Sequence, residues 1–382
     1  MKIKGKEKQI HKFVFVAGFM RVRLGDVCEK GSSNLKQSDV IDKNGEYEIY
    51  GASGLIGKVD FFHQEKPYIA VVKDGAGIGR TMLLPEKTSV IGTMQYILPN
   101  EKVIPKYLYY VIRYMHLEKY FTGATIPHIY FKDYKREEFN LCDLSEQEKI
   151  VSTLSKIEKI ITHRKQQLEK LDLLVKARFV EMFGEPILNE KGWNMVTIGD
   201  IVTEVKYGTS KPAVEGGKYP YLRMNNLTYD GHLDLTNLKM IDIQDSEIEK
   251  CIVHRGDVLF NRTNSIELVG KTCVFDKDED MVIAGYIIRV RLKSIMLPIV
   301  LSYFMNTDAL KKKLRNMAKG AVNQANINAQ EFKSINIYLP PIELQTQFAD
   351  FVKQVDKSRV AIQNDLEQAQ MLFDSLMQEY FG

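Results

Sequence analysis

The chain has 382 residues, of which 45% are apolar and 27% charged, the composition of a folded protein rather than of a disordered or fibrous one. Its net charge of +4 is too small to indicate binding to nucleic acid over the whole surface. At about 150 residues per domain, two or three domains are predicted. The longest apolar run, residues 13–20, is far shorter than the ~20 residues that span a bilayer, so an integral membrane protein is not expected.

The first residues superficially resemble a secretion signal, because several lysines precede the apolar run. Arg21 and Arg23 follow immediately and no small-residue cleavage site is present, so export is rejected. The four cysteines form no C-x-x-C pair, which favours a reduced, cytoplasmic protein without a disulfide framework or zinc knuckle. Residues 1–19 are interpreted as a basic extension, with Met20 as an alternative natural start.

Residues 20–143 are predicted to form short strands followed by a helix. The predicted strands are Tyr68–Val72, Thr81–Leu84 and Met94–Leu98, and the helical segment is Pro105–Tyr120. Gly75–Arg80 lacks the spacing of a dinucleotide-binding motif, so a tight turn between strands is expected. Residues 185–341 repeat this plan with strands at Val258–Phe260, Lys271–Phe275 and Ala284–Leu292, and a helix near Pro298–Ala318. Both segments are therefore predicted to be mixed α/β domains.

Two segments, 145–183 and 343–381, lack Gly and Pro and place apolar residues at alternating steps of four and three, the heptad pattern of a coiled coil. Each position in the first has its counterpart 198 residues later, and Gly184 and Gly382 follow the two segments. Arginines occupy three of the seam positions, Arg164, Arg178 and Arg359. The apolar residues predicted to pair the helices are Ile150, Leu154, Ile157, Ile161, Leu168, Leu171, Val175, Phe348, Val352, Val355, Ile362, Leu366, Phe373 and Leu376.

A 39-residue helix is about 58 Å long at 1.5 Å per residue and would extend beyond its own domain, so its seam needs a partner. The first helix carries 8 basic and 6 acidic residues and the second 3 and 7, which favours pairing within one chain. Because each helix follows its own globular segment, an antiparallel coiled coil with pseudo-twofold symmetry is predicted. The predicted domains are the extension 1–19, a first globular domain 20–143, a central helix 144–184, a second globular domain 185–341 and a second helix 342–382.

Familiar catalytic motifs are missing from the sequence, including the P-loop, the G-x-S-x-G elbow and the zinc motif H-E-x-x-H. Asp276–Asp280 lacks the Gly and closing Glu of a calcium loop and is interpreted as a solvated acidic loop. Two sets of basic and amide side chains remain, the types that read base edges. One such residue alone is typical of a turn, but two sets in two repeats favour DNA binding. The candidates are Lys73, Arg80, Thr125, His128, Lys132, Arg223, Asn225, Asn226, Arg262, Asn264, Lys319, Asn323, Gln324 and Asn326.

Several motifs together resemble one known family over Met20–Gly382. The motifs are Phe139–Gln147 and Ile337–Gln345 ahead of the two long helices, Gly256–Arg262 and Tyr50–Gly57. With the internal repeat, the sequence resembles the specificity subunits of type I restriction–modification systems. It departs from an exact repeat where Leu141-Cys-Asp143 stands opposite Leu339-Pro-Pro341.

The resemblance implies two target-recognition domains, each reading one half of a bipartite double-stranded DNA site, with the paired helices as a spacer. Because the two inserts differ in sequence, the site is expected to be asymmetric. The helices would also bind two methyltransferase subunits and, where present, restriction subunits. S-adenosylmethionine, ATP and Mg²⁺ would belong to those partners, and the chain itself would catalyse nothing and need no metal. A coiled-coil scaffold that binds no DNA, an unrecognised nuclease and a methylation-only system remain alternatives.

Overall fold

The computed structural model describes residues 19–40, 43–123, 127–321 and 324–382, and of residues 319–321 only the backbone. The chain divides into two compact units: the first contains the chain up to Lys165 and Asn364–Gly382, and the second contains Gln166–Gln363. Each unit therefore joins a globular part to halves of both long helices. In the described part of the chain, no helix is long and apolar enough to cross a membrane.

The first unit is built on two sheets. The larger has the spatial order Cys28–Ser32, Met94–Pro99, Tyr68–Val72 and Thr81–Leu84, all antiparallel. The smaller has the order Gly54–Val59, Tyr47–Gly51 and Ser89–Val90, the last pair parallel. Met20–Arg23 pairs separately with Glu138–Leu141. The helices are Pro105–Tyr114 and Phe131–Tyr134, with short 3₁₀ turns at Leu24–Asp26, Gln37–Asp39 and Leu117–Tyr120.

The second unit repeats this topology. Its first sheet has the order Val202–Tyr207, Ile287–Leu292, Val258–Asn261 and Thr272–Val274. Its second sheet has the order Lys239–Ile241, Tyr219–Leu222, Met281–Ile283 and Ile252–Val253. Smaller sheets pair Asn194–Thr197 with Asn336–Leu339, and Gln324–Asn326 with both Thr263–Asn264 and Lys319–Ala321. The helices are Ile198–Ile201, Asp245–Cys251, Pro298–Met305, Asp308–Met317 and Ala329–Lys333, with a 3₁₀ turn at Met224–Asn226.

One difference between the two units is the connection between two neighbouring strands of a sheet. In the first unit, Tyr47–Gly51 and Gly54–Val59 are joined by Ala52 and Ser53 alone. In the second unit, the equivalent strands are joined by residues 223–238, here named the 223–238 loop. The shared frame therefore carries inserts of different length, as the unequal offsets in the sequence indicate.

The long helices are Leu144–Phe183 and Ile342–Phe381, within one residue of the predicted bounds. In the first unit, the beginning of the first helix, including Leu154, shares a core with the end of the second, including Phe373. In the second unit, the end of the first helix, including Val175, shares a core with the beginning of the second, including Phe348. The pairing is therefore antiparallel, as predicted. Among the predicted pairing residues, Leu168, Leu171, Ile362, Leu366 and Leu376 are half-buried and the rest buried.

Each long helix also buries aromatic and sulfur-containing residues outside the predicted seam. Phe179 and Phe183 of the first helix have counterparts 198 positions later in Met377 and Phe381, and all four are buried. Phe179 lies 6.3 Å, ring to ring, from Tyr303, and Phe381 lies 5.2 Å from Tyr107. These residues fasten the helices to the globular parts. The heptad pattern missed them because it describes one face of each helix.

Several predicted strands match the structure, but three element predictions were wrong in extent. The strands Tyr68–Val72 and Thr81–Leu84 have the predicted bounds. The single helix predicted near Pro298–Ala318 is two helices, because the side-chain amide of Asn306 donates to the carbonyls of Ser302 and Thr272 where the first helix ends. The helical segment from Pro105 ends its α-helix at Tyr114, before the left-handed residue His116. The strand predicted from Ala284 begins at Ile287.

Candidate nucleic-acid interface

Buried glutamines fix the start of both long helices to the frame. Gln147 is fully buried; its Oε1 accepts from the Ile104 N–H at 2.8 Å, and its Nε2 donates to the carbonyls of Lys102 and Cys142. Gln345 makes the same three contacts in the second unit, with Leu297 N–H, Ile295 O and Pro340 O. All six backbone groups belong to segments that precede a helix. Each glutamine therefore fixes the start of its own long helix against the globular part of the same unit.

In the first unit, predicted residues gather where two loops meet. The loop Gly75–Arg80 is a tight turn between strands, as predicted. The ring Nδ1 of His128 lies 2.6 Å from a carboxylate oxygen of Asp74, and the Lys73 ammonium lies 3.9 Å from the other oxygen. The Ile129 N–H donates to the Lys73 carbonyl at 2.9 Å, which holds the two loops together. Lys73 and His128 thus converge on one carboxylate.

An exposed aromatic ring extends this cluster. Tyr130 is 49% exposed and stacks on His128 with ring centroids 6.3 Å apart. The Lys132 ammonium lies 5.3 Å from the Tyr130 centroid, a cation–π contact. Arg80 is exposed and donates to the Ala52 carbonyl at 3.0 Å. Lys73, His128, Tyr130 and Lys132 therefore form one polar and aromatic surface, here named the first cluster. Arg80 has no contact with these residues among those described, and Thr125 lies outside the described residues.

In the second unit, a cleft of about 610 Å³ brings four predicted residues together. Arg223, Arg262, Gln324 and Asn326 line it, beside backbone of the segments 209–213 and 284–286. These residues come from separate places in the sequence, so only the fold shows that they share a site. The predicted residues of the second repeat thus form a concave, polar surface, here named the second cluster.

Contacts within the protein fix one edge of the guanidinium group in both Arg262 and Arg223. Arg262 lies over the Tyr207 ring at 4.9 Å and donates through Nη1 to the Gly285 carbonyl at 3.4 Å. Arg223 donates through Nη2 to the Asn237 carbonyl at 3.0 Å. Neither guanidinium makes an ion pair with a carboxylate among the described residues. Both cations are therefore positioned but not neutralised, which suits a ligand rich in oxygen acceptors.

Several predicted amides order the protein's own loops. Asn226 is buried; its Oδ1 accepts from Arg223 N–H at 2.9 Å and its Nδ2 donates to the Asp234 carbonyl at 2.8 Å. Asn264 Nδ2 donates to Asn261 Oδ1 at 2.8 Å, and Asn326 Oδ1 accepts from the Thr263 hydroxyl at 2.8 Å. These contacts fit the turn-capping role that the sequence left open. The exposed candidates are Asn225 and Gln324, whereas Asn323 and the side chain of Lys319 lie outside the described residues.

The cleft also contains residues that the sequence did not single out, including Lys211, Tyr221 and Tyr286. The Tyr221 hydroxyl donates to the carbonyls of Lys211 and Thr209 at 3.0 and 3.2 Å. Burial raises the pKa of Tyr221, so the hydroxyl remains a donor at neutral pH. Lys211 forms an ion pair with Glu247. The sequence feature that could have identified this side of the cleft is the polar segment 208–211, which immediately follows a strand.

Comparison with known proteins shows the family of the chain. A model of the type I restriction modification DNA specificity domain matches residues 17–171 and 190–369, one match per repeat. The chain belongs to this family. Type I specificity subunits are also the curated proteins to which it is similar, as the resemblance predicted.

Two curated relatives illustrate the similarity. The chain is 28% identical over 194 residues to the putative type I restriction enzyme MjaX specificity subunit of Methanocaldococcus jannaschii, a match that covers 50% of this chain and 45% of the relative. It is 25% identical over 279 residues to the type I restriction enzyme EcoKI specificity subunit of Escherichia coli K12, covering 68% and 60%. The chain thus spans about half the length of these relatives.

Two solved structures share the fold. The type I restriction–modification S subunit of M. genitalium aligns with a TM-score of 0.60 at 15% identity, over 98% of both chains. A chain from a study of complex assembly and conformational transition in the type I system aligns with a TM-score of 0.54 at 17% identity, over 96% of this chain and 98% of that one. Both share their fold with this chain over nearly its whole length. Within the described residues, no group of three or more His, Cys, Asp or Glu side chains could hold a metal ion.

Proposed function

We propose that this chain is the DNA-recognition subunit of a type I restriction–modification complex and reads a bipartite, asymmetric double-stranded site. One recognition domain would read each half-site. The observation that carries the proposal is the second cluster, where Arg223 and Arg262 converge without a carboxylate partner among the described residues, in a cleft with amide neighbours. Arginine forks and amides are the side chains that discriminate bases through paired hydrogen bonds.

The two clusters differ in chemistry, which supports an asymmetric site. The first presents Lys73, His128 and Lys132 around a carboxylate and a tyrosine, and the second presents arginines and amides. Since specificity depends on the donors and acceptors offered to each base pair, surfaces of different composition read different sequences.

The partners follow from the same proposal. Two methyltransferase subunits would bind this chain, and restriction subunits would join them where the system contains them. S-adenosylmethionine, ATP and Mg²⁺ would act in those subunits, while this chain supplies recognition and catalyses no reaction.

The experiment is co-expression with the methyltransferase subunit encoded beside this gene, followed by genome-wide mapping of N6-methyladenine. The expected result is a split motif, with two short defined halves around a fixed number of unspecified base pairs, here named the gap. Absence of methylation would overturn the proposal if the same methyltransferase binds this chain and methylates DNA with another specificity subunit. Partner binding without salt-dependent DNA affinity would favour the scaffold.

Arg262→Gln tests the second cluster directly. Loss of a base-reading arginine is expected to relax the motif at one position of one half-site, at a cost of about 1–3 kcal/mol, and to leave the other half-site unchanged. The measurement is the same methylation map. Arg255→Gln is the matched control, because Arg255 is exposed, pairs with Asp278 and lies outside the cleft.

A further inference from the structure

The 223–238 loop connects the second cluster to the long helices within the second unit. Its first residue, Arg223, lines the cleft. Its tip, residues 229–232, lies against the helix Asp308–Met317 and the first long helix. The first unit joins the equivalent strands by Ala52 and Ser53 alone, so this connection is an addition to the second insert.

The loop is braced by its own hydrogen bonds. Leu227 and Leu233 form a bridge of the antiparallel type, and the Thr228 N–H donates to the His232 carbonyl at 2.9 Å. The Asp234 N–H donates to the Asn226 carbonyl at 2.8 Å. Backbone hydrogen bonds therefore connect the tip to the Arg223 end of the loop.

Polar contacts tie the tip to the helices. Arg315 Nη2 donates to the Tyr229 hydroxyl at 2.7 Å, and the Lys311 ammonium donates to the Tyr229 carbonyl. His232 Nε2 lies 3.7 Å from Asp172 Oδ1 on the first long helix. Asp172 in turn accepts from Arg359 of the second long helix at 2.6 Å. The tip is thus linked to both long helices through one carboxylate.

Gly231 permits the close approach of the tip. Its φ is +92°, in the left-handed region that favours glycine, and a Cβ there would lie 2.5 Å from Asn306 Nδ2. A side chain at this position would push the tip away from the helix Pro298–Met305. The position of the loop therefore depends on the backbone conformation at Gly231 as well as on the polar contacts of the tip.

The first unit makes a related tie from a different element. Glu158, the counterpart of Asp356 by the offset of 198, accepts from Tyr110 at 2.8 Å and from Arg113 at 2.5 Å. Both donors lie on the helix Pro105–Tyr114. Each unit therefore has a polar tie to the long helices at a different residue, Glu158 in the first and Asp172 in the second, and the tie in the second is made by a loop that also lines the candidate interface.

From these contacts we propose that the 223–238 loop is a positioning element: it fixes the second cluster against the long helices and thereby restricts the gap between the half-sites. The inference rests on the proposed function. In a spacer made only of helices, the gap would depend on helix length alone. With the loop, it also depends on Tyr229 and His232, which do not line the cleft.

The test uses the double variant Tyr229→Phe with His232→Ala. It removes the hydrogen bond between Tyr229 and Arg315 and the contact between His232 and Asp172, both made by partly exposed side chains. The complex with its methyltransferase subunit is given plasmids that carry both half-sites with the native gap or with one base pair more or fewer. The expected result is unchanged half-sites and a rise of about tenfold in methylation of the altered gaps relative to the native one. His254→Ala is the matched control, since that histidine pairs with Asp280 away from the helices.

The outcomes separate the two proposals. A wild-type complex that methylates no split motif overturns the proposed function and this inference together. A wild-type split motif with identical gap discrimination in the double variant and the control overturns the inference alone. A further variant combines Tyr229→Phe with His232→Gln, in which the glutamine keeps a side-chain donor toward Asp172. Its discrimination between gaps is expected to equal that of the single variant Tyr229→Phe. Failure of that rescue in a variant with wild-type thermal stability also counts against the positioning role.

Discussion

At the scale of single residues, the repeated glutamines show how a polar side chain serves a buried position. Gln147 and Gln345 are fully buried, and each satisfies one backbone N–H and two carbonyls. An unpaired buried polar group costs about 1–3 kcal/mol, so an apolar residue there would leave several unpaired at once. Packing alone cannot replace the amide.

Gln147→Leu is therefore expected to lower the free energy of unfolding by about 3 kcal/mol, because it leaves three backbone groups without their partner. Urea denaturation followed by circular dichroism measures the change. Gln166→Leu, an exposed position on the same helix, is the control and should change stability by less than about 0.5 kcal/mol. Equal effects of the two substitutions would contradict the assigned role of Gln147.

The sequence identified several residues of the candidate site but not their roles. Its Arg, Lys and amide clusters led to Arg223, Arg262 and Lys73, because those side-chain types are recognisable without coordinates. It could not separate Asn226, whose amide is used within a turn, from cleft residues, because both look alike in a polar segment. Tyr130 and Tyr286 were missed because a single tyrosine gives no periodic signal in the sequence.

At the scale of elements, the long helices combine apolar ends with a polar middle. Leu154 and Phe348 are fully buried near the ends, while Arg164 pairs with Asp365 at 2.9 Å and Arg359 with Asp172 at 2.6 Å in between. The heptad steps predicted the helices and their pairing because a strict alternation of four and three over ten positions is typical of a coiled coil. They could not predict these ion-pair partners, which depend on the antiparallel register.

Leu154→Ala is expected to destabilise the protein by about 3 kcal/mol, since it removes a fully buried side chain from the core and leaves a cavity. Leu173→Ala on the same helix is the matched control, because Leu173 is 64% exposed. Denaturant midpoints of the two variants give the comparison. A cost at Leu173 as large as at Leu154 would mean that the assigned helix face is wrong.

The Asp172 carboxylate makes part of the stability of the folded protein depend on pH. Burial alone would raise the pKa of Asp172, but the nearby His232 ring and the hydrogen bond from Arg359 outweigh it and the pKa is lowered. The ionised carboxylate therefore stabilises the fold above about pH 4, and this stabilisation is lost as the pH falls through the lowered value.

Asp172→Asn should accordingly lose about 1 kcal/mol of stability at pH 7, and the difference from wild type should shrink as the pH falls below about 4. Thermal unfolding between pH 3 and pH 7 measures it. Asp350→Asn, at an exposed position of the second long helix, is the control. A constant loss for Asp172→Asn across this range would argue against an ionic contribution.

At the scale of the whole molecule, the frame and several strands of the inserts were predictable, but the long connection in the second insert was not. The repeat predicted two α/β parts with the same strand plan, because both helices and both flanking strands recur in order. The 223–238 loop contains no repeated pattern, so its connection to the helices appears only in three dimensions.

Insertion of one heptad into each long helix tests the spacer role. Seven residues add about 10.5 Å, or about three base pairs at 3.4 Å each, and insertion in both helices preserves the antiparallel pairing. The methylation motif is expected to keep both half-sites and to gain about three base pairs in the gap. An altered half-site, or an unchanged gap in a folded complex, would contradict the spacer role.

The first unit is made of two separate segments of the chain, which affects when it can fold during synthesis. Its core needs Phe373 and Phe381, which are translated about 200 residues after Lys165. At 5–20 residues per second, the ribosome takes roughly 10–40 s to supply them. During that interval the apolar face around Leu154 and Ile161 is uncovered, whereas the second unit is continuous in the chain. Nascent chains should therefore acquire a protease-resistant second unit first, and chaperones should engage the first one longest.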